Sequence, residues 1–317
     1  MNALTEKSTL AVVKKWCLAV IVPVIFTLLF ASLYHNWTEV RQYAWGEHLS
    51  GSVLALSLLF LLAYLGLLVI AWKKLLEFAG SFVSFREAFC AFFYSTLGKY
   101  LPGKVWTMVG RVYIAESNGV RRRDAVISVF FENVLIVMSG LIVCAVTLPF
   151  WWPAWQRYYP LLLVACVLGA VSLFASPRLL AAGLNMFPTQ FSREGIHVGL
   201  QPVQLFTTLL IYLIGWGIFG LAFHLFINSI YAIPLHQYPA ALGSFALAWI
   251  VGFLSVFTLG GIGVREGMLT LLLKQWLPLE IALVIALGSR IWTTVAELIG
   301  VGVAYVLTKG RIEGTKP

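Results

Sequence analysis

Thr96-Leu97-Gly98-Lys99-Tyr100-Leu101-Pro102-Gly103-Lys104 and Thr258-Leu259-Gly260-Gly261-Ile262-Gly263-Val264-Arg265-Glu266 interrupt two apolar runs of this chain in the same way. Each follows a run of membrane-type hydrophobicity and precedes a helix-like run too short to cross a bilayer. Broken, charged backbone at membrane depth is tolerated only where protein buries it or a polar cavity borders it. A matched pair of such breaks in the two halves of a chain points to a transport site.

The chain is 60% hydrophobic and 11% charged over 317 residues, with mean hydropathy +0.89. A soluble domain carries roughly a quarter charged residues. The composition therefore predicts an all-α polytopic membrane protein, one transmembrane domain over residues 1–317. No polar stretch is long enough to bury a core of its own. Lys14 and Lys15 precede an apolar run from Trp16 to Leu33 without a convincing cleavage site, so this run reads as a retained first helix.

A crossing helix needs about 20 apolar residues. Six runs qualify, at 16–34, 50–72, 125–149, 159–176, 203–231 and 281–308. Residues 85–117 and 239–275 are apolar but broken, and read as two re-entrant helical hairpins. A competing reading makes each hairpin arm a short crossing helix. In both readings each region returns to its starting side. With a cytoplasmic N-terminus, fifteen basic residues fall inside, among them Lys73, Lys74, Arg86, Arg121, Arg122, Arg123 and Lys309. Only Arg41, Arg157 and Lys274 fall outside, a positive-inside asymmetry that places both termini in the cytoplasm. The net charge of +9 is thus mainly topology, which argues against nucleic-acid binding. With this orientation, residues 50–149 and 203–308 run in opposite senses, the pattern of an inverted repeat with one hairpin dipping from each face.

Ionisable residues inside a membrane are costly, so each is a candidate for function. Lys99 and Lys104 flank Pro102-Gly103, which breaks the helix and frees backbone amides, a combination suited to a phosphate oxygen. The alternative is that both lysines snorkel to headgroups. Arg111 lies toward the exit of the first hairpin and Glu132 lies within 125–149. In the second hairpin Gly260, Gly261 and Gly263 permit backbone angles closed to other residues, and Arg265 and Glu266 then open a half-helix. A packed glycine turn with a structural ion pair is the other reading. Arg290 and Glu297 are seven apart and share a helix face with Thr293 and Thr294. Gly98, Pro102, Gly103, Gly260, Gly261 and Gly263 are the predicted backbone hinges. There is no HExxH or GxSxG pattern, and no cysteine or histidine pair at metal-ligand spacing. No cofactor, metal or catalytic residue is expected.

LPGKVW…GR at 101–111, FEN at 131–133, GGIGVREG at 260–267 and Arg290 in the last span resemble the flippase-like family, the lysylphosphatidylglycerol-synthase transmembrane domain superfamily. The resemblance covers nearly the whole chain and is most specific at GGIGVREG. It carries over Glu132 and Glu266. This chain has Leu259 where the family usually has proline, and Asn133 after Glu132, so an Arg–Asp network there does not carry over. With no synthase domain in the sequence, aminoacyl-lipid synthesis is not implied. The resemblance implies a lipid transporter, not an enzyme, moving a polyisoprenyl-phosphate-linked sugar or an anionic phospholipid across the bacterial inner membrane by alternating access. The partners would be that phosphate-bearing lipid, membrane lipids and a glycosyltransferase. The alternative is a membrane enzyme, or a non-transporting scaffold for a membrane glycosyltransferase.

Overall fold

A computed structural model describes residues 50–100, 105–151, 157–161, 163–165, 169, 201–255 and 263–313. Within them the chain is helical, with no strand. We label the main helices α1 (Gly51–Ala79), α2 (Phe85–Thr96), α3 (Val105–Ser117), α4 (Arg122–Trp151), α5 (Pro202–Asn228), α6 (Tyr238–Leu254), α7 (Val264–Leu273) and α8 (Leu279–Glu313). A 3-10 turn, Leu97–Tyr100, follows α2, and another, Leu235–Gln237, leads into α6.

Five of these helices are long and apolar enough to cross a membrane: α1, α4, α5, α8, and α6 together with its 3-10 lead-in. Four correspond to expected spans. The expected span 16–34 lies outside the described residues, and 159–176 lies largely outside them. The arms of the second hairpin are unequal. Leu235–Leu254 has 20 residues, whereas α7 has 10, about 15 Å of helix against a hydrocarbon core of about 30 Å. The longer arm arises because Pro239 sits in the first turn of α6, where its missing N–H costs nothing, and lets the helix begin early. Helix α1 runs past the expected limit at Trp72. Lys73 and Lys74 pair with Glu77, the latter at 3.0 Å, so the helix continues where hydrophobicity stops.

The first hairpin is built by local signals. Ser84 caps α2 by accepting from Glu87 N at 3.2 Å, while Glu87 Oε2 accepts from Ser84 N at 3.0 Å. Helix α2 ends at Thr96 and α3 begins at Val105, and the two pack side by side. Gly98 makes this possible. A Cβ there would lie 2.8 Å from the Thr107 backbone nitrogen and from the Trp106 carbonyl carbon.

The core joins both halves. Helix α1 packs on α5, α4 on α6, and α8 on α2. Phe219, Phe223, Phe245 and Trp292 form an aromatic cluster at its centre. Three buried indoles tie helices together through serine: Trp72 donates to Ser128, Trp216 to Ser139 and Trp292 to Ser57, each at 3.1 Å. An unsatisfied N–H in hydrocarbon costs several kcal/mol, about, so these pairs fix which helix faces meet. Leu59, Ile214 and Val306 point outward, exposed, as lipid-facing residues do.

Candidate functional site

The two hairpins and the helices beside them enclose a cavity of about 240 Å³. Its wall takes Lys99 from the 3-10 turn, Thr107, Met108 and Arg111 from α3, and Val129, Glu132 and Asn133 from α4. The opposite wall takes Trp249, Gly252 and Phe253 from α6, Arg265 from α7, and Arg290, Thr293 and Thr294 from α8.

Five of the eight ionisable residues singled out in the sequence therefore line one space: Lys99, Arg111, Glu132, Arg265 and Arg290. Glu266 and Glu297 lie against them as ion-pair partners. Lys104 lies outside the described residues, as do Pro102, Gly103, Gly260 and Gly261. Gly98 and Gly263 sit at the two breaks. Gly263 precedes α7 with φ of 83°, a left-handed angle that glycine adopts without strain. Its N–H donates to Glu266 Oε2 at 2.7 Å, which anchors the start of the half-helix.

The charges pair as follows. Arg111 Nη1 donates to Glu132 Oε1, and Arg111 Nε donates to Ser95 Oγ at 2.9 Å. The Arg111 guanidinium stacks 4.1 Å from the Phe92 ring centre. Lys99 Nζ bridges both carboxylate oxygens of Glu297, and Tyr100 Oη donates to Glu297 Oε2 at 3.1 Å. Arg290 Nη1 donates to Glu266 Oε1 at 2.8 Å. Arg265 Nε stands 3.3 Å from that same Oε1, a close approach of charges without a hydrogen bond. The Arg265 guanidinium reaches Ser289 Oγ at 3.5 Å and lies 5.4 Å from the Phe245 ring centre.

Four cations thus meet three carboxylates among the described residues, and the surplus is local. Arg265 and Arg290 share one carboxylate. Removing two charges from water costs several kcal/mol per ion, about, so two guanidinium groups on one glutamate leave attraction for a further anion. Thr107, Thr293 and Thr294 add hydroxyls to the wall, and Trp249 and Phe253 add apolar surface. Trp249 and Phe253 stack at 5.2 Å, one helical turn apart, and carry no sequence signal because aromatic residues recur throughout the apolar runs of this chain. Arg121 donates to Gly80 O at 3.0 Å and to Asp124 at 2.9 Å, and ties the α1–α2 turn to the start of α4.

Fold and site together define a multi-pass helical membrane protein with a charged cavity walled by two broken helical elements. The chain matches the family described as the lysylphosphatidylglycerol synthase TM region over residues 10–300, and it belongs to that family. The resemblance drawn from LPGKVW, FEN and GGIGVREG is thereby borne out. No curated protein matches the chain.

Proposed function

We propose that this protein moves a phosphate-bearing lipid across the bacterial inner membrane by alternating access, as a transporter rather than an enzyme. The headgroup phosphate enters the cavity and the tail stays in the bilayer. One observation carries the reading: Arg265, half-buried at the cavity wall, shares Glu266 with Arg290, and its buried Nε has no hydrogen-bond acceptor among the described residues. A phosphate oxygen supplies that acceptor, and the guanidinium fork suits its geometry. A polyisoprenyl-phosphate-linked sugar is the preferred cargo on family grounds, and an anionic phospholipid is the second.

Most helix contacts support a repeat of α1–α4 and α5–α8, although the contact of α1 with α4 has no comparable counterpart between α5 and α8, and the inverted sense comes from the charge asymmetry. The contact of α1 with α2 is matched by α5 with α6, α2 with α3 by α6 with α7, and α3 with α4 by α7 with α8. Across the halves, α4 with α6 is matched by α8 with α2, and α4 with α5 by α8 with α1. Arg111 on α3 pairs with Glu132 on α4, and Glu266 on α7 pairs with Arg290 on α8, the same interface with charges exchanged. Two such units rocking about the cavity would open it to each side in turn. In this topology both termini are cytoplasmic, as the basic loops direct.

The test is reconstitution of the purified chain in vesicles with a fluorescent polyisoprenyl-phosphate-linked sugar and, in parallel, fluorescent phosphatidylglycerol, followed by dithionite quenching and mass analysis of each lipid. The reading expects faster loss of inner-leaflet fluorescence than in protein-free vesicles, with the lipid mass unchanged. A changed mass would make the protein an enzyme. No flipping above background would leave the scaffold reading.

A further inference from the structure

The α4 side of the cavity holds a second unsatisfied group, opposite in sign to Arg265. Glu132 is 8% exposed and lines the cavity. Its Oε1 accepts from Arg111, while its Oε2 is buried with no hydrogen-bond partner. The groups around it come from each neighbouring helix. Arg111 faces it from α3; Tyr64 of α1 and Tyr212 of α5 lie within electrostatic reach. The Tyr212 hydroxyl is itself buried without a partner. Helix α6 brings only Trp249, Gly252 and Phe253 to the wall, and Lys99, Arg265 and Arg290 stand around the same cavity. Among the described residues Glu132 therefore pairs with one cation, Arg111, and that cation borders the space where an anion would sit.

We infer that Glu132 is a proton-binding site coupled to the cargo: a phosphodiester that takes Arg111 from Glu132 leaves this carboxylate to bind one proton. The inference rests on the transport reading above. A phosphate oxygen replaces Glu132 Oε1 on Arg111 Nη1. The carboxylate, now buried without a counter-charge, takes a proton from water in the cavity and becomes a neutral acid. An unpaired ionised carboxylate in a low-dielectric site is far costlier than its neutral form. One negative charge enters with the phosphodiester and one positive charge enters with the proton, so the net charge of the site does not change. When the lipid leaves, Arg111 returns to Glu132 and the proton departs. Lipid and proton then travel in the same direction.

The test titrates dihexanoyl-phosphatidylglycerol, a phosphodiester that stays ionised across the range, into the detergent-solubilised full chain. Calorimetry at one pH in two phosphate-free buffers of different ionisation enthalpy counts the protons exchanged. The inference expects close to one proton taken up per lipid bound. It also expects affinity to fall as pH rises, by up to about tenfold per unit. Glu132→Gln should bind with no proton uptake and a flat pH profile. Arg111→Gln, whose Glu132 has lost its cation before the lipid arrives, should also take up none. Binding by the wild-type chain without proton uptake overturns the inference and leaves the transport reading standing. Uptake that persists in Glu132→Gln overturns the assignment to Glu132. Failure to bind either this lipid or a short-chain polyisoprenyl-phosphate-linked sugar, also a phosphodiester, defeats the transport reading and the inference with it.

Discussion

The two ion-paired helix interfaces beside the cavity use the same residues to different ends. At α3–α4 one arginine meets one glutamate, and the excess is a carboxylate oxygen. At α7–α8 two arginines meet one glutamate, and the excess is a guanidinium N–H. The first interface is neutral and the second is positive by one charge. The difference teaches that pairing alone does not decide whether a buried charge is structural. What matters is whether a neighbour is left short of a partner at the cavity wall. On this account the α7–α8 side attracts the anion, and the α3–α4 side responds to it.

Removing the shared carboxylate should break the comparison most severely. Glu266→Gln leaves two arginines facing each other, and loss of one member of a buried ion pair costs about 3–5 kcal/mol. Glu266 is 6% exposed, so little solvent screening offsets that cost. Both thermal stability in detergent and transport should collapse; a stable, active Glu266→Gln protein would break the account of this interface. Arg265→Gln should separate the two properties. It relieves like charge beside Arg290, so expression and melting temperature hold while transport falls to the protein-free background. Arg290→Gln should also abolish transport, and a protein that transports normally but melts early would make Arg290 structural.

Lys99→Gln should sharpen the comparison with a smaller effect. Lys99 borders the cavity but already holds Glu297 through both oxygens. Its loss should weaken binding of a phosphate-bearing lipid by about tenfold, roughly 1.4 kcal/mol. The smallest effect belongs to a residue away from the charges. Trp292→Phe removes the indole donor to Ser57 and keeps most of the aromatic packing. It should cost about 1 kcal/mol of stability, in line with interhelical hydrogen bonds in membranes, and leave transport unchanged. A large transport defect there would mean that the aromatic core takes part in the conformational change.

Much of the site was legible in sequence because a membrane chain makes charge conspicuous. Lys99, Arg111, Glu132, Arg265 and Arg290 stand out against apolar runs, and the structure brings all five to one cavity. The partners were less legible. That Lys99 meets Glu297 and Tyr100 depends on how α8 rotates against the first hairpin, which no local pattern encodes. The Trp–Ser ties were invisible for the same reason. Serine and tryptophan occur throughout these helices, and only the register between helices selects Ser57, Ser128 and Ser139. The start of α2 carries a signal that hydrophobicity alone does not read, Ser84 three residues before Glu87. Hydrophobicity marks the crossing run to Trp72, and ion pairs carry α1 onward through Lys73–Ala79.

The central claim is that the cavity selects a phosphate. The most direct measurement compares two lipids that share a sugar and differ in charge: a polyisoprenyl-phosphate-linked sugar and a neutral glycosyldiacylglycerol. Each is followed across vesicles containing the wild-type chain or Arg265→Gln. The account predicts that the wild-type protein moves the phosphate-bearing lipid well above background and the neutral lipid at background, and that Arg265→Gln moves neither. Equal movement of both lipids by the wild-type chain, unaffected by Arg265→Gln, would contradict it.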